Sequence, residues 1–172
     1  MDQRRADFDS FVVQNTAALT RTAYLIVWDL QEAEDLVQET LLKVAGRWPR
    51  VRRMEHPAAY ARRMLVNLAL SGAERRTRRR RELTDDALPD RVDDAGGSGT
   101  IDTQDELMRA LAALPPRQRT VLVLRYFLDL PEAEVAAAMK CSLGTVKSTA
   151  SRGLARLEQT MRTTNDTRSI RT

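Results

Sequence analysis

The chain has 172 residues, room for one domain or two small ones, with 5% aromatic and 30% charged residues and a net charge of +4. A single cysteine, Cys141, excludes an internal disulfide, and no apolar run is long enough to span a bilayer. The amino-terminal stretch MDQRRADFD has no signal-peptide character, so a cytoplasmic protein is expected.

Gly and Pro are scarce inside the periodic stretches, and the pattern predicts an all-α chain. Residues 7–28 carry Phe8, Phe11, Val12, Leu19, Ala23, Tyr24, Ile26 and Val27 at mixed helical spacings, which fits one or two helices. Asp29 to Glu32 reads as a short polar turn. From Ala33 to Trp48 the period is clear: Ala33, Leu36, Val37, Leu41, Val44 and Trp48 share a face, and Pro49 is expected to stop the helix. Opposite that face lie Asp35, Gln38, Glu39 and Leu42. A leucine beside two carboxylates suits a protein-binding patch for a basic partner, although lone exposed leucines are common.

Residues 49–56, PRVRRMEH, read as a basic loop, and Pro57 as the start of a helix with Tyr60, Ala61, Met64, Leu65 and Leu68 inward. Between Arg47 and Arg81 the Lys and Arg positions are all Arg, opposed by Glu55 and Glu74 alone. This arrangement fits phosphate binding or a plain solvated surface. Arg50, Arg52, Arg53, Arg62, Arg63 and Asn67, interleaved with Met54, His56 and Tyr60, suit distorted or single-stranded DNA; the same residues also fit a basic surface around a core Tyr60.

Composition switches near residue 83. The segment holding Asp85, Asp86, Asp90, Asp93, Asp94, Asp102, Asp105 and Glu106, with Gly96, Gly97 and Gly99, is expected to be a flexible acidic linker. Roughly 20 residues of such chain give a coil span of about 25 Å and a maximum reach of about 65 Å. Beyond it, Leu107, Ala110, Leu111 and Leu114 mark a short helix. Pro115 and Pro116 end it and start another, carrying Val121, Leu122, Leu124 and Phe127. The expected units are therefore 1–82, a linker at 83–104, 105–162, and a polar tail at 163–172.

The second unit closes with Pro131 to Leu157. Val135, Ala136 and Met139 give one helix an apolar face. Lys140 and Cys141 break it, and Ser142 is a good N-cap for another. At 100° per residue Leu143, Val146, Ala150, Gly153, Leu154 and Leu157 fall on one side of this last helix, and Thr145, Ser148, Arg152 and Ala155 on the other, with Lys147 on the flank. A small, hydroxylated, basic face fits a major groove, while the pattern alone also fits an ordinary helical hairpin. Cys141 is expected to act as a buried small hydrophobe. His56 is the single histidine, and no converging acid–base, nucleophilic, metal-binding or phosphate-loop arrangement stands out, so an enzyme is not expected and no metal or cofactor is called for.

Three stretches together resemble the extracytoplasmic-function (ECF) sigma factors, promoter-recognition subunits of bacterial RNA polymerase, and within them the SigE-like branch. AEDLVQETLLKVAGRW (33–48) is similar to their region 2.2, HPAAYARRMLVNLALS (56–71) to regions 2.3 and 2.4, and residues 113–157 to region 4, with GTVKS following an EVA helix. The resemblance implies two all-α domains joined by a linker, acting without chemistry of their own. It implies that Asp35, Gln38, Glu39 and Leu42 dock on the clamp helices of core RNA polymerase. Arg50, Arg52, Arg53, Met54 and His56 would capture a flipped base of the −10 element, and Arg62, Arg63 and Asn67 would separate its strands. Thr145, Lys147, Ser148, Thr149 and Arg152 would read the −35 duplex, over a core that includes Leu143, Val146 and Leu154. Promoter DNA, core polymerase and an anti-sigma factor are the implied partners. Ala45 and Tyr60 stand where Trp is common, Lys140 where the turn often has Gly, and Pro131 in place of a Ser cap. A stand-alone helix-turn-helix regulator is the alternative.

Overall fold

The computed structural model describes residues 3–83 and 103–169. Most of the acidic segment expected at 83–104 lies outside them. Among the described residues the secondary structure is helical throughout.

The first half is a bundle of α1 (Gln3–Val27), α2 (Leu30–Ala45), the single turn α3 (Trp48–Val51) and α4 (Pro57–Leu83). Residues 7–27 thus lie in one helix, which packs on both α2 and α4, and Trp28 follows it. The turn after it is tighter than expected. Trp28 takes a left-handed φ of 58° with its ring against Tyr24, and Asp29 caps α2 by accepting from the Glu32 amide at 2.7 Å. The buried side of α2 is Ala33, Leu36, Val37, Thr40 and Val44. Pro49 does not end α2, which stops at Ala45; it sits in the first turn of α3, where its missing N–H has no partner to lose. The stretch read as a basic loop is therefore anchored. Val51 is fully buried, and Trp48 packs its indole against Phe8 and Phe11 at 5.3 and 5.1 Å. Along α4 the core positions are Ala61, Leu65, Val66, Ala69 and Leu70, with Tyr60, Met64 and Leu68 half-buried at the edge.

The second half comprises α5 (Thr103–Ala112), α6 (Pro116–Leu122), a π-helical turn (Val123–Phe127), α7 (Glu132–Met139) and α8 (Leu143–Ser169). Glu106, read as part of the acidic segment, is buried in the first turn of α5, where a carboxylate suits the helix dipole. The π turn carries Tyr126 and Phe127 outward, so Phe127 is not the core residue its spacing suggested. Helix α8 runs on through Ser169, well into the expected polar tail; the i,i+4 pair Glu158–Arg162 supports this extension. Cys141 is half-buried rather than fully enclosed.

Helix α7 ends on Lys140 in the left-handed region (φ 51°, ψ 48°), with the Cys141 amide donating to Ala136 O at 3.0 Å. A side chain there costs about 1 kcal/mol that glycine would not. Lys140→Gly should therefore stabilise the fold by about 0.5–1 kcal/mol, raising Tm by roughly 2 °C in thermal unfolding. An unchanged or lower Tm would mean that the lysine side chain makes up for its strain.

Helices α5, α6 and α7 all pack on α8. The approach of α6 is set by Gly153, where an added Cβ would lie 3.2 Å from Leu122 Cδ1 and 3.4 Å from Gln118 Cβ. The two halves also pack on each other: α7 and α6 lie on α4, and α6 meets α1, so buried residues from both halves form one continuous apolar core.

Candidate protein and nucleic-acid interfaces

Asp35, Gln38, Glu39 and Leu42 form a single exposed stripe on α2, spaced i, i+3, i+4 and i+7 and about 10 Å long. Leu42 is 73% exposed. The carboxylates are held loosely: Gln31 Nε2 donates to Asp35 Oδ1 at 3.1 Å, and Lys43 Nζ lies 3.3 Å from Glu39 Oε1. Such exposed contacts contribute little to stability and leave the stripe open to a partner. The helix can present it because its opposite side is committed to the core by Ala33, Val37, Thr40 and Val44.

The second surface joins α3 to the start of α4. Arg50, Arg53, His56 and Arg63 are exposed. Arg52 is tied to Asp7 of α1 at 3.3 Å, which fixes the turn to the bundle, and His56 sits 3.6 Å from Glu55. Met54 is half-buried against the core and contributes packing as much as surface. A contact that spacing did not reveal lies here: Arg47 Nη1 donates to the Tyr60 hydroxyl at 3.2 Å, bracing the aromatic across the turn. Sequence could have pointed to it only through Arg47 flanking the turn opposite Tyr60. Arg62 and Asn67 are half-buried, and Arg62 lines a cleft of about 560 Å³ whose far wall is Leu130, Glu134 and Ala138 of the second half. Asn67 Nδ2 donates to Arg63 O at 2.6 Å and, across the cleft, to Ala138 O at 3.1 Å.

The third surface is the first half of α8. Ser142 caps it, accepting from the Thr145 amide at 3.1 Å. Thr145, Lys147, Ser148 and Arg152 are all exposed. Arg152 Nε donates to Ser148 O at 3.2 Å, laying its guanidinium along the helix. Lys147 reaches Glu132 of α7 at 3.7 Å. Thr149 does not belong to this face: it is 8% exposed, whereas Leu143 and Leu154, read as core, are 50% and 42% exposed. Close packing at Gly153 rolls α8 about its axis by roughly a third of a residue step. The buried arc is therefore centred on Val146 and Gly153 and takes in Thr149 on one side and Leu157 on the other.

The described residues contain no cluster of His, Cys, Asp or Glu able to hold a metal ion, and no described helix is long and apolar enough to cross a membrane. Comparison with known proteins places these surfaces in a family. Sigma-70 region 2 matches residues 11–81 and Sigma-70 region 4 matches residues 104–157. RNA polymerase sigma-E factor of Streptomyces avermitilis is 38% identical over 89% of this chain and 84% of that protein. Its counterpart in Streptomyces coelicolor is 37% identical over 89% and 85%. ECF RNA polymerase sigma factor SigG of Mycobacterium tuberculosis is 33% identical over 91% of this chain and 49% of its own length. Among solved structures, the sigma factor RpoE in complex with the anti-sigma factor NepR, from Bartonella quintana, superposes with a TM-score of 0.69 over 91% of this chain and 97% of that one, at 26% identity. The chain belongs to the extracytoplasmic-function sigma factors of the sigma-70 family, non-enzymatic subunits that recognise promoters together with core RNA polymerase.

Proposed function

We propose that the three surfaces divide the work of promoter recognition. The Asp35–Leu42 stripe docks on the clamp helices of core polymerase. Arg50, Arg52, Arg53, Met54, His56, Arg62, Arg63 and Asn67 engage the melted −10 element, and Thr145, Lys147, Ser148 and Arg152 read the −35 duplex. In this reading residues 1–82 and 105–162 are the two working units, and the protein acts in the bacterial cytoplasm at the nucleoid. Binding free energy, rather than chemistry, traps the open DNA: bases held outside the duplex offset an unstacking cost of a few kcal/mol. The observation that carries the reading is the coexistence of an acidic, leucine-bearing stripe with a small, hydroxylated, basic helix face on one molecule. A stand-alone regulator would need only the second. The Bartonella relative was solved with an anti-sigma factor, which supports a partner of that kind here.

The test is run-off transcription from a promoter library with purified bacterial core polymerase, with and without this protein. Initiation at defined starts that depends on the protein is expected. Tight duplex binding without polymerase, and no initiation, would favour the regulator.

Because arginine–phosphate contacts dominate, promoter affinity should fall linearly on a log–log plot against salt concentration. Arg50→Gln and Arg53→Gln should each reduce that slope by about one. A titration in which the slope is unchanged would remove those residues from the DNA contact.

A further inference from the structure

We propose that the arginine-bearing end of α4 binds the phosphate backbone of the promoter duplex just upstream of the melted −10 element, a contact separate from both promoter elements. This rests on the −10 surface assigned above and continues it along the same helix. Past Ala73, residues 74–82 are all exposed, so the last turns of α4 stand clear of the core. Six of the seven residues from Arg75 to Arg81 are arginine. Arg75, Arg76, Arg78 and Arg79 line an open recess of about 600 Å³ together with Gly72 and Glu82.

Folding does not account for this run. Arginine favours a helix in its last turn, through the dipole, which covers Arg80 and Arg81. Arg75, Arg78 and Arg79 lie earlier, and as like-charged neighbours at i,i+3 and i,i+4 they oppose the helix. The nearby carboxylates are few and mostly engaged. Glu32 of α2 takes Arg76, and Arg117 of α6 takes Glu74 at 2.9 Å. Glu82 approaches Arg78 at only 3.8 Å, an exposed contact that a phosphate can displace. Arg75 and Arg79 have no hydrogen-bond or ion-pair partner among the described residues.

Position along α4 selects duplex DNA over a melted strand. Arg78 lies 11 residues beyond Asn67, which at 100° per residue returns it to within about 20° of the same side. At 1.5 Å per residue the two are about 17 Å apart along the axis, the rise of about five base pairs. In the assignment above the turn at 50–56 holds the captured base, and Arg62, Arg63 and Asn67 separate the strands. A helix that continues away from them meets DNA that is still paired. Between Gly72 and Glu82 there is no Asn or Gln to read a base edge, and the arginines are spread along the helix end, so the contact is to the backbone and independent of sequence.

The experiment uses the full chain bound to core polymerase, with fork-junction DNA that carries a −10 element recovered from the run-off library and no −35 element. One fork keeps about 3 base pairs of duplex upstream of the junction and the other about 12. The parent should bind the longer fork at least about tenfold more tightly and with a steeper salt dependence. Arg75→Gln, Arg78→Gln and Arg79→Gln together should erase that preference and leave affinity for the short fork unchanged. Lysine at the same three positions should retain it, because a phosphate is met as a charge. Equal affinity of the parent for both forks would overturn the upstream contact alone. A preference that persists in the glutamine variant would belong to polymerase and would overturn it as well. Loss of the short fork by that variant would place these arginines on the melted strand instead. Failure of the parent to bind either fork would overturn the −10 assignment and this contact with it.

Discussion

Asp35→Arg abolishes docking on core polymerase and leaves the folded protein and its duplex binding intact. The expectation follows from where Asp35 sits. Its side chain is exposed on α2 and touches only Gln31 at 3.1 Å, so reversal removes nothing that holds the bundle together. Against a basic partner it replaces attraction with repulsion on the same stripe as Leu42, which is 73% exposed and supplies its apolar end. Truncation of a central interface residue costs about 2–4 kcal/mol, and reversal at this position should weaken binding by about 100-fold or more. Leu42→Ala should weaken it by about tenfold through lost apolar contact alone. Pull-down or fluorescence titration with core polymerase reads both effects, and thermal unfolding within about 1 °C of the parent confirms an intact fold. Normal polymerase binding by Asp35→Arg would remove α2 from the docking surface.

The helices that carry these surfaces were legible because each has one committed side. On α2 the apolar positions at 33, 36, 37 and 44 fix which residues face outward, so the stripe follows from periodicity. The cap at Ser142 was legible for the same local reason, short-range backbone chemistry, while the strain at Lys140 was legible through the resemblance, in which the turn often has Gly there. What sequence could not supply are features decided by tertiary contact. The roll of α8 depends on how near Gly153 lets Leu122 come, and a shift of a few tens of degrees is enough to exchange Thr149 for Leu154 at the boundary of the core. Val51 is buried within a stretch that reads as a polar basic loop, next to Trp48, which α1 covers with Phe8 and Phe11 from some 40 residues away. The packing of α7 on α4 joins residues 71 apart in the chain, Asn67 and Ala138, and no periodicity within either helix encodes it.

Arg152→Glu eliminates recognition of the −35 duplex while Thr149→Val preserves it. The two residues are neighbours on α8 and were grouped together by resemblance, yet they lie on opposite sides of the core boundary. Arg152 is exposed, braced on Ser148 O at 3.2 Å, and carries no ion pair within α8, so its charge is available to phosphate or to a guanine edge. Its reversal removes one contact and sets a carboxylate against the DNA backbone, for a loss of about 2–4 kcal/mol, or roughly 30- to 1,000-fold in affinity. Thr149 is 8% exposed beside Val146, and valine keeps its shape, so duplex affinity should change by less than about threefold. Both variants are read by electrophoretic mobility shift on promoters recovered from the run-off library, with polymerase docking as the internal control, since the α2 stripe is untouched. A large loss with Thr149→Val would place that hydroxyl in the groove and return α8 to the rotation its apolar pattern alone suggests. Retained binding with Arg152→Glu would take the reading face off this helix altogether.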